Sequence, residues 1–369
     1  MEIHDVRGLT GFVPVIDADA TSILGSDEPL VLRLDTAPAT SIVEEAAQRL
    51  RTLPTVTVVI GDPETVPVVL AAAADICLTT VLDPPRPWVQ APIEPLEAAV
   101  AAQPKAALAL VSLLRSTGTG SVWDGIVAEA STYGLLLGSA GFQGWLASGR
   151  AARSRPLASG PPIRLTRDGA VLRIELDRPA VHNAIDSAMR DELVAALSLP
   201  LADPTITEVR LSGLGPSFSS GGDLDEFGSV GDPATSLAVR LTCHPGYALH
   251  QVEGVTTAYL HGSCIGAGIE VPAFAHHVSA SPNTTFRLPE LTMGLIPGAG
   301  GTVSLRRRIG RHRTAWLALT TETIDVGTAL AWGLVDDTDR GDLAYPADGS
   351  LAEKEGVGRH PGGTEQEGE

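Results

Sequence analysis

Two glutamates stand in otherwise apolar stretches of this 369-residue sequence. Glu270 lies in Ile269-Glu-Val-Pro-Ala-Phe274, and Glu290 lies in Leu288-Pro-Glu-Leu-Thr-Met293. Burying a carboxylate costs free energy unless the group is paired or used. Two partly desolvated carboxylates have raised pKa values and can transfer protons near neutral pH. The pair therefore indicates acid–base chemistry, although each glutamate alone could form a structural ion pair with an arginine.

Two glycine-rich segments accompany these acids. Phe218-Ser-Ser-Gly-Gly-Asp223 follows a strand predicted at Val209, and Gly262-Ser-Cys-Ile-Gly-Ala-Gly-Ile-Glu270 follows one predicted at Thr256. Glycine lets the backbone turn sharply with its N–H groups unobstructed, and a following helix adds its positive N-terminal dipole. Two such donors converging on one point would form an oxyanion hole. Each segment alone is more typical of a tight turn than of an oxyanion hole, and neither matches a dinucleotide-binding or P-loop pattern.

The elements that must position these groups follow an α/β pattern. In the first half, two buried strands flank an amphipathic helix and form a βαβ unit, and a short helix, a strand and two longer helices come next. These predicted elements are Leu30–Leu34, Ile42–Leu53, Val56–Ile60, Val66–Ala74, Ile76–Val81, Lys105–Arg115 and Val122–Leu146.

The second half is predicted to begin with a β-hairpin and to continue with alternating helices and strands. Its elements are Ile163–Gly169, Val171–Leu176, Ser187–Leu199, Val209–Leu211, Leu237–Val252 and Thr256–Leu260. Such alternation is typical of parallel strands joined by helical crossovers. The chemistry is therefore expected at the loops that lead from strands to helices.

These residues carry a family resemblance. The run Leu176-Asp-Arg-Pro-Ala-Val-His-Asn-Ala-Ile185, the two glycine-rich segments, Pro289-Glu290 and Ile296-Pro-Gly-Ala-Gly-Gly-Thr302 resemble the crotonase (enoyl-CoA hydratase/isomerase) superfamily in order and spacing. The resemblance covers about residues 163 to 336. It implies an α/β fold class, a crotonase-like ββα spiral core preceded by a smaller α/β domain ending in helices.

The resemblance also implies roles for individual residues. The backbone N–H groups of Gly222 and Ala267 would form the oxyanion hole for a thioester carbonyl, with alanine where the family usually has glycine. Glu270 and Glu290 match the acidic pair of the family's hydratases, Glu270 activating water and Glu290 delivering a proton to Cα. The residues that match the coenzyme A nucleotide and pantetheine contacts are Ala180, Val181, His182, Ser220, Asp223 and Leu224.

The predicted function is that of an enoyl-CoA hydratase, which adds water across a 2-enoyl-CoA thioester. No metal or organic cofactor is expected, because coenzyme A arrives as part of the acyl-CoA substrate. The same scaffold could instead support an enoyl-CoA isomerase or a CoA-thioester hydrolase, or a non-catalytic acyl-CoA-binding homologue. A homo-oligomer, trimer or hexamer, is the expected assembly.

Composition separates the chain into four predicted regions. Residues 1–150 form an N-terminal α/β domain, 151–162 a linker, 163–336 the crotonase core and 337–369 an acidic tail that is expected to be disordered. Members of the family continue past the equivalent of Asp336 into helices that cover the active site. The helices predicted at 105–115 and 122–146 loosely resemble those covering helices. We therefore hypothesise that residues 1–150 are a degenerate partial crotonase unit, with Val69 at the position of Glu270; the alternative is an unrelated α/β domain.

Charge and cysteine usage exclude several other classes. A net charge of −18 argues against a nucleic-acid partner. Cys77, Cys243 and Cys264 are too few and too far apart for a disulfide framework or a zinc ribbon, which indicates a reducing compartment. The sequence carries no recognisable secretory signal or apolar stretch of bilayer length, so a cytoplasmic protein with no membrane partner is expected.

Three further motifs have ordinary explanations. The basic run Arg306–Arg313 could meet a coenzyme A phosphate, and a solvated helix face is the alternative. His276-His277 lacks partners at metal-ligand spacing. Ser219 and Ser220 lack the histidine and aspartate arrangement of an acyl-enzyme site.

Overall fold

A computed structural model describes residues 2–3, 26–36, 38, 42–118, 120–149, 160–229 and 231–338. The predicted linker and the predicted acidic tail lie almost entirely outside these described residues. The strands are β1 (Glu2–Ile3), β2 (Leu30–Leu34), β3 (Thr57–Gly61), β4 (Ile76–Thr79), β5 (Val89–Gln90), β6 (Ile163–Asp168), β7 (Val171–Leu176), β8 (Glu208–Gly213), β9 (Val255–Leu260), β10 (Ser263–Ile265), β11 (His277–Ala280), β12 (Thr285–Arg287) and β13 (Ile324–Asp325).

The helices connect and cover these strands. They are α1 (Val43–Thr52), α2 (Val68–Ala73), α3 (Glu94–Ala102), α4 (Pro104–Ser116), α5 (Val122–Leu137), α6 (Ala140–Ala147), α7 (Ser187–Ala202), α8 (Pro233–Thr242), α9 (Pro245–His250), α10 (Ala267–Glu270), α11 (Gly301–Ile309), α12 (Arg311–Thr320) and α13 (Val326–Trp332). The α/β fold class predicted from the sequence, with a smaller α/β region before the main one, is confirmed.

The first half contains a five-stranded parallel sheet in the order β1-β2-β3-β4-β5. Val31 pairs with Val58, and Val58 pairs with Ile76, so the strands follow one another in space as in sequence. Every residue of β4 is buried, as expected of a parallel sheet covered on both faces. The predicted βαβ unit is present as β2-α1-β3.

The second half contains a five-stranded sheet in the order β11-β9-β8-β7-β6. The predicted hairpin is its antiparallel edge, where Ile163 pairs with Leu176, and the remaining strands are parallel. A third sheet, β10-β12-β13, is small. It pairs Cys264 with Phe286 directly before α10, and this pairing fixes where the second glycine-rich segment turns.

Two helices that the sequence pattern predicted as continuous are each two helices, so that prediction is wrong. The 122–146 segment breaks at Gly138, and Ser139 caps α6 by accepting a hydrogen bond from the Phe142 N–H. The 237–252 segment breaks before Pro245, because proline cannot donate the backbone hydrogen bond that a continuing helix needs. Helix α3 was missed, since its sequence, with Pro95 in the first turn, gives little amphipathic periodicity.

The two halves share one hydrophobic core. A single cluster of buried side chains includes Val58 and Ile76 from the first sheet, Leu110 from α4, and Leu211 and Phe286 from the second half. The opposite face of the first sheet packs separately against α1 and α2. Burial of one leucine stabilises a fold by about 1.5–3 kcal/mol, so this shared cluster holds the halves firmly together.

The basic run 306–313 joins the halves through polar contacts. Arg306 Nη1 donates to Thr117 Oγ1 at 2.9 Å, and Arg313 Nη2 donates to Pro84 O at 3.1 Å. His312 contacts the Ala71 carbonyl oxygen at 3.0 Å through Nε2. Arg307 is exposed, whereas the other arginines of the run are half-buried or buried. The expectation of a solvated helix face is therefore wrong for most of this run.

None of the described helices is both long enough and apolar enough to span a membrane on its own. Helices α3 and α4 meet the length and composition criteria only when they are taken together, and they are bent by 109° relative to each other.

Candidate active site

A cavity of about 380 Å³ lies between the two halves of the chain. Helix α5 of the first half contributes Tyr133 and Leu137 to its wall. The second half contributes all four residues that were predicted to do chemistry, which are Gly222, Ala267, Glu270 and Glu290.

Gly222 and Ala267 present backbone N–H groups to this cavity. Gly221 has φ +87°, and a Cβ at this position would lie 2.5 Å from Ile265 O and 3.6 Å from Ala267 N, so only glycine allows the two loops to approach this closely. The Ile185 N–H donates to Gly221 O at 2.8 Å and anchors the first loop. Within the described chain, the N–H groups of Gly222 and Ala267 have no acceptor. They are available to a carbonyl oxygen.

Glu270 is 1% exposed and is held by the turn before α11. Its Oε2 accepts hydrogen bonds from the N–H groups of Ala299 at 2.7 Å and Gly301 at 2.9 Å. The backbone of the same residue is fixed as well, because Ser304 Oγ donates to Glu270 O at 2.7 Å. One carboxylate oxygen is therefore occupied by the protein, and Oε1 faces Gly266.

Glu290 approaches Gly266 from the other side. A Cβ on Gly266, which has φ +51°, would lie 2.5 Å from Glu290 Oε1 and 3.8 Å from Glu270 Oε1. Glu290 is 7% exposed, and its Oε2 has no hydrogen-bond partner among the described residues. The two carboxyl groups thus converge over the same glycine, which leads into α10.

A third buried carboxyl group, Glu129, reaches the same turn from the first half. Helix α5 starts at a capping box between Ser121 and Asp124, and Glu129 is 1% exposed on its inner face. Glu129 Oε1 accepts from the Gly300 N–H at 2.7 Å, and Oε2 accepts from the Thr302 N–H at 2.8 Å and from Thr302 Oγ1 at 2.6 Å.

The turn is consequently fixed by two carboxyl groups in alternation. The N–H groups of Ala299 and Gly301 bind Glu270, and those of Gly300 and Thr302 bind Glu129. Glu129 lies in the apolar run Ile126-Val-Ala-Glu-Ala130, on the buried helix face that also carries Tyr133, so the signal that selected Glu270 was present here as well. Its contacts with residues 300 and 302, which are distant in sequence, could not be predicted from that run.

Burial raises the pKa of all three carboxyl groups. Desolvation is the largest cause in each case, and for Glu270 the charges of Glu290 and Glu129 raise the pKa further. Hydrogen bonds from backbone N–H groups oppose this rise at all three, from Ala299 and Gly301 at Glu270, from Gly300 and Thr302 at Glu129, and from its own N–H at Glu290. Since like charges this close cannot all ionise, the cluster holds protons at neutral pH.

Helix α5 approaches the site closely because small residues face it. A Cβ on Gly298 would lie 2.4 Å from Cδ2 of Tyr133, and a Cβ on Gly125 would lie 2.8 Å from Val303 Cγ2. Tyr133 is 3% exposed and closes this side of the cavity. Sequence analysis did not select Tyr133 or Gly125, although the helix that carries them was predicted to cover the site.

Two further cavity residues that sequence analysis missed lie at α8 and the start of α9. Burial lowers the pKa of His244 to about 4, with a smaller effect from the Arg240 charge, so His244 is neutral at physiological pH. Its Nδ1 accepts the Tyr247 N–H at 3.0 Å and caps α9. Arg240 lies over the Tyr133 ring at 3.8 Å from the ring centroid.

The residues predicted to contact coenzyme A lie together on one side of the first loop. The Ser220 N–H donates to His182 O at 2.8 Å, and Ser220 Oγ donates to Val181 O at 3.5 Å. His182 and Ala180 are exposed, and Asp223 is buried and lines the cavity. Ala180, Val181, His182, Ser220 and Leu224 do not line the cavity itself.

The remaining candidates are occupied by structural contacts. Ser219 Oγ donates to Asn183 O at 2.8 Å, and His277 Nε2 contacts Asp337 Oδ2 at 2.6 Å. Across the described residues, no cluster of histidine, cysteine, aspartate and glutamate has the form of a metal site. The three cysteines are free thiols.

Comparison with known proteins concerns the second half of the chain. Residues 166–342 match the family model described as Enoyl-CoA hydratase/isomerase. The 2,3-dehydroadipyl-CoA hydratase of Escherichia coli K12 is 33% identical over 196 residues, which is 53% of this chain and 75% of that protein. The mitochondrial enoyl-CoA hydratase of Pongo abelii is 30% identical over 189 residues, covering 49% of this chain and 64% of that protein. The solved structure of enoyl-CoA hydratase from Thermoplasma volcanium GSS1 aligns with a TM-score of 0.44 at 27% identity, covering 49% of this chain and 73% of that one.

Proposed function

Because the chain belongs to the enoyl-CoA hydratase/isomerase family, we propose that it is an enoyl-CoA hydratase that adds water across the double bond of a 2-enoyl-CoA thioester. The observation that carries this proposal is the placement of two free N–H groups and two facing carboxyl groups in one cavity. The names of the relatives support an acyl-CoA substrate.

The thioester carbonyl is polarised by the N–H groups of Gly222 and Ala267. Negative charge develops on this oxygen when water attacks Cβ, and hydrogen-bond donors that are already in place stabilise it without reorganising. Removing one such donor in comparable sites costs roughly 2.7–4 kcal/mol of transition-state stabilisation. The methyl group of Ala267 leaves its N–H in place.

We assign the roles of the two glutamates as the family resemblance implies, although burial raises the pKa of both. Glu270 Oε2 accepts two backbone N–H groups, which stabilise its ionised form, so Glu270 takes a proton from the attacking water. Glu290 Oε2 has no donor among the described residues, and burial raises the pKa of Glu290 to about 8, so Glu290 holds the proton that it delivers to Cα. The water oxygen forms a bond to Cβ, and the proton count balances between the two acids.

The first half completes this site by fixing its geometry. Glu129 accepts hydrogen bonds from the N–H groups of Gly300 and Thr302, and the alternate N–H groups of the same turn donate to Glu270. A displacement of about 1 Å at a reacting group can cost a hundredfold in rate. Glu129 is accordingly a positioning residue of the proposed hydratase.

The test is the loss of enoyl-thioester absorbance over a panel of short, long, branched and ring-bearing 2-enoyl-CoAs. Glu270→Gln and Glu290→Gln are compared with wild type and with Glu192→Gln, an exposed glutamate of α7. A hydratase loses turnover in both active-site variants, retains acyl-CoA binding, and is unaffected by Glu192→Gln.

Two results would overturn the proposal. Turnover lost only in Glu290→Gln, with double-bond migration or free coenzyme A as the product, would assign an isomerase or a thioester hydrolase. Tight acyl-CoA binding without turnover in any sample would assign a binding homologue.

A further inference from the structure

Arg240 is a cation of the cavity wall without a carboxylate partner. It is half-buried on α8, and none of the ion pairs among the described residues includes it. Its Nε is inaccessible to solvent and has no hydrogen-bond acceptor in the described chain. A buried donor without an acceptor costs free energy, so this orphaned N–H calls for an explanation such as a ligand.

The cavity's other arginine and the acids beside it already have polar partners. Arg190 pairs with Asp191 at 2.7 Å, and Asp186 pairs with Arg178. Glu226 accepts hydrogen bonds from the N–H and Oγ of Ser187, both at 2.8 Å. Among the two arginines that line the cavity, Arg240 is the one whose charge is available.

The position of Arg240 is fixed by its neighbours. Its guanidinium lies over the Tyr133 ring at 3.8 Å from the ring centroid, and Tyr133 in turn packs against Gly298, next to the turn that holds Glu270. Stacking on the ring holds the planar group in place, and a side-chain hydrogen bond between Arg240 and Tyr133 adds to this contact, while Nε has no acceptor among the described residues. The neighbouring His244 is neutral, so it neither repels nor neutralises an anion.

From this geometry we propose that Arg240 binds a carboxylate at the distal end of the acyl chain, and that the preferred substrates are 2-enoyl-CoA thioesters with an anionic terminus. The inference rests on the proposed acyl-CoA site. The thioester carbonyl lies at Gly222 and Ala267, the double bond at Glu270 and Glu290, and the chain end beyond Tyr133, where a guanidinium would be a poor neighbour for a methyl group.

The competing role for Arg240 is that of a countercharge to the carboxyl cluster. Its charge lowers the pKa of Glu129, although desolvation raises that pKa more strongly. A countercharge would affect the ionisation of Glu129, Glu270 and Glu290 whatever acyl chain is bound. A carboxylate-binding residue changes the selectivity between acyl chains instead, and this difference separates the two roles.

The experiment measures selectivity in two ways. In the first, kcat/KM is determined for methyl-ended 2-enoyl-CoAs and for matched thioesters whose terminal methyl group is replaced by a carboxylate or by its neutral methyl ester. In the second, calorimetry gives the affinity of the saturated, unreactive counterparts. Both are compared in wild type, Arg240→Met, Arg240→Lys and Arg307→Met, the last of which removes an exposed arginine of α11 outside the cavity.

The proposal predicts that wild type prefers the carboxylated chain over both neutral chains. Arg240→Met should lower this preference roughly thirtyfold or more, because it removes a desolvated charged hydrogen bond. Arg240→Lys should retain part of the preference, since lysine keeps the charge and loses the bidentate geometry. Arg307→Met should leave the preference as in wild type.

Equal affinity of wild type for carboxylated and methyl-ended chains overturns the assignment, and so does a shift of the pH profile by Arg240→Met that is the same for every substrate. If no thioester is hydrated while the carboxylated chains still bind through Arg240, the proposed hydration fails and the carboxylate site stands.

Discussion

The path from α2 to β4 in the first half and the path from α10 to β11 in the second half run in the same order. The offset in residue number that places Val69 on Glu270 also places the start of β4 on the start of β11. In the second half, a glycine with positive φ leads into α10 and leaves the Ala267 N–H without an acceptor among the described residues. In the first half, the corresponding N–H of Val66 donates to Asp62 O at 3.0 Å, so the turn closes on itself.

This difference distinguishes the α2-to-β4 path, which only supports the fold, from the α10-to-β11 path, which also lines the cavity. A valine in place of a glutamate removes the acid, and an occupied N–H removes the donor, while the helix-to-strand path is kept. The first half contributes to the cavity through other residues, namely Glu129 and Tyr133 on α5. That residues 1–150 are a degenerate partial crotonase unit stays a prediction, and this shared path supports it.

The largest difference between the two paths is expected in kcat when the corresponding side chains Glu270 and Val69 are substituted. Glu270→Gln should lower kcat by about 10²–10⁴-fold, because a positioned acid–base group contributes an effect of this size. Val69→Ala should leave kcat within about twofold, since Val69 packs in the separate cluster beneath α1 and α2. Initial rates of hydration measure both. If Glu270→Gln retained turnover within tenfold of wild type, Glu270 would not be an acid–base group of the reaction.

The next largest effect on kcat is expected from substituting Glu129, which the first half contributes to the site. Glu129→Gln replaces one acceptor oxygen by an NH₂ group, which faces N–H donors of the turn that holds Glu270 and leaves at least one of them unsatisfied. We expect kcat to fall about ten- to a hundredfold with little change in KM. Glu129→Asp should recover part of the loss.

Glu44→Gln, at an exposed acid on α1, is the matched control and should have no effect. Wild-type kcat in folded Glu129→Gln would show that the turn does not depend on the first half.

The pH dependence of stability sharpens the comparison further. Glu290 has a raised pKa in the folded protein, so above its ordinary value of 4.5 the native state holds a proton that the unfolded chain has released. Stability from this group is therefore fully present at low pH and is lost as pH rises toward the raised pKa, by at most about 1.4 kcal/mol per pH unit.

The difference between the urea unfolding of wild type and of Glu290→Gln between about pH 5 and pH 8 measures this slope, because Glu129, Glu270, His244 and His312 also have shifted pKa values and contribute to both curves. Glu290→Gln should gain stability relative to wild type as pH rises, and parallel curves would contradict the prediction. Asp203 does not interfere, because its lowered pKa of about 2 places its own titration, with stability lost as pH falls, below this range.

The smallest effect is expected at Ala267, the second donor of the proposed oxyanion hole. Ala267→Gly keeps the backbone N–H and removes only a methyl group, so kcat/KM should change by less than about threefold and stability should fall by no more than about 1 kcal/mol. Rates with linear and branched thioesters check this. A change beyond tenfold for a linear chain would mean that the side chain, and not only the N–H, shapes the hole.

The sequence predicted those parts of the molecule whose cause is local. Glu270 and Glu290 could be found because a carboxylate in an apolar run is unusual, and β2, β3 and β4 because most of their residues are apolar. Gly138 and Pro245 are residue types that commonly mark the ends of helices, but the apolar periodicity on either side of each predicted one continuous helix.

Other features depend on contacts that no local pattern contains. Glu129 lies in an apolar run that indicates burial, but its hydrogen-bond partners are residues more than 170 positions away. Arg240 similarly follows an ordinary amphipathic stretch, and only the packing of α5 on α8 places it over Tyr133. Neither could be assigned before the two halves were placed together.

The shared core also has a consequence for the order in which the protein is made. Helix α4 packs against α12, and α5 packs against α11 through Val303, and both of these partners leave the ribosome long after α4 and α5 do. Until then the nascent first half exposes apolar surface and an unsatisfied Glu129, a state that favours aggregation. Synthesis of the second half, through the turn at 298–302, is the step that covers this surface and completes the fold.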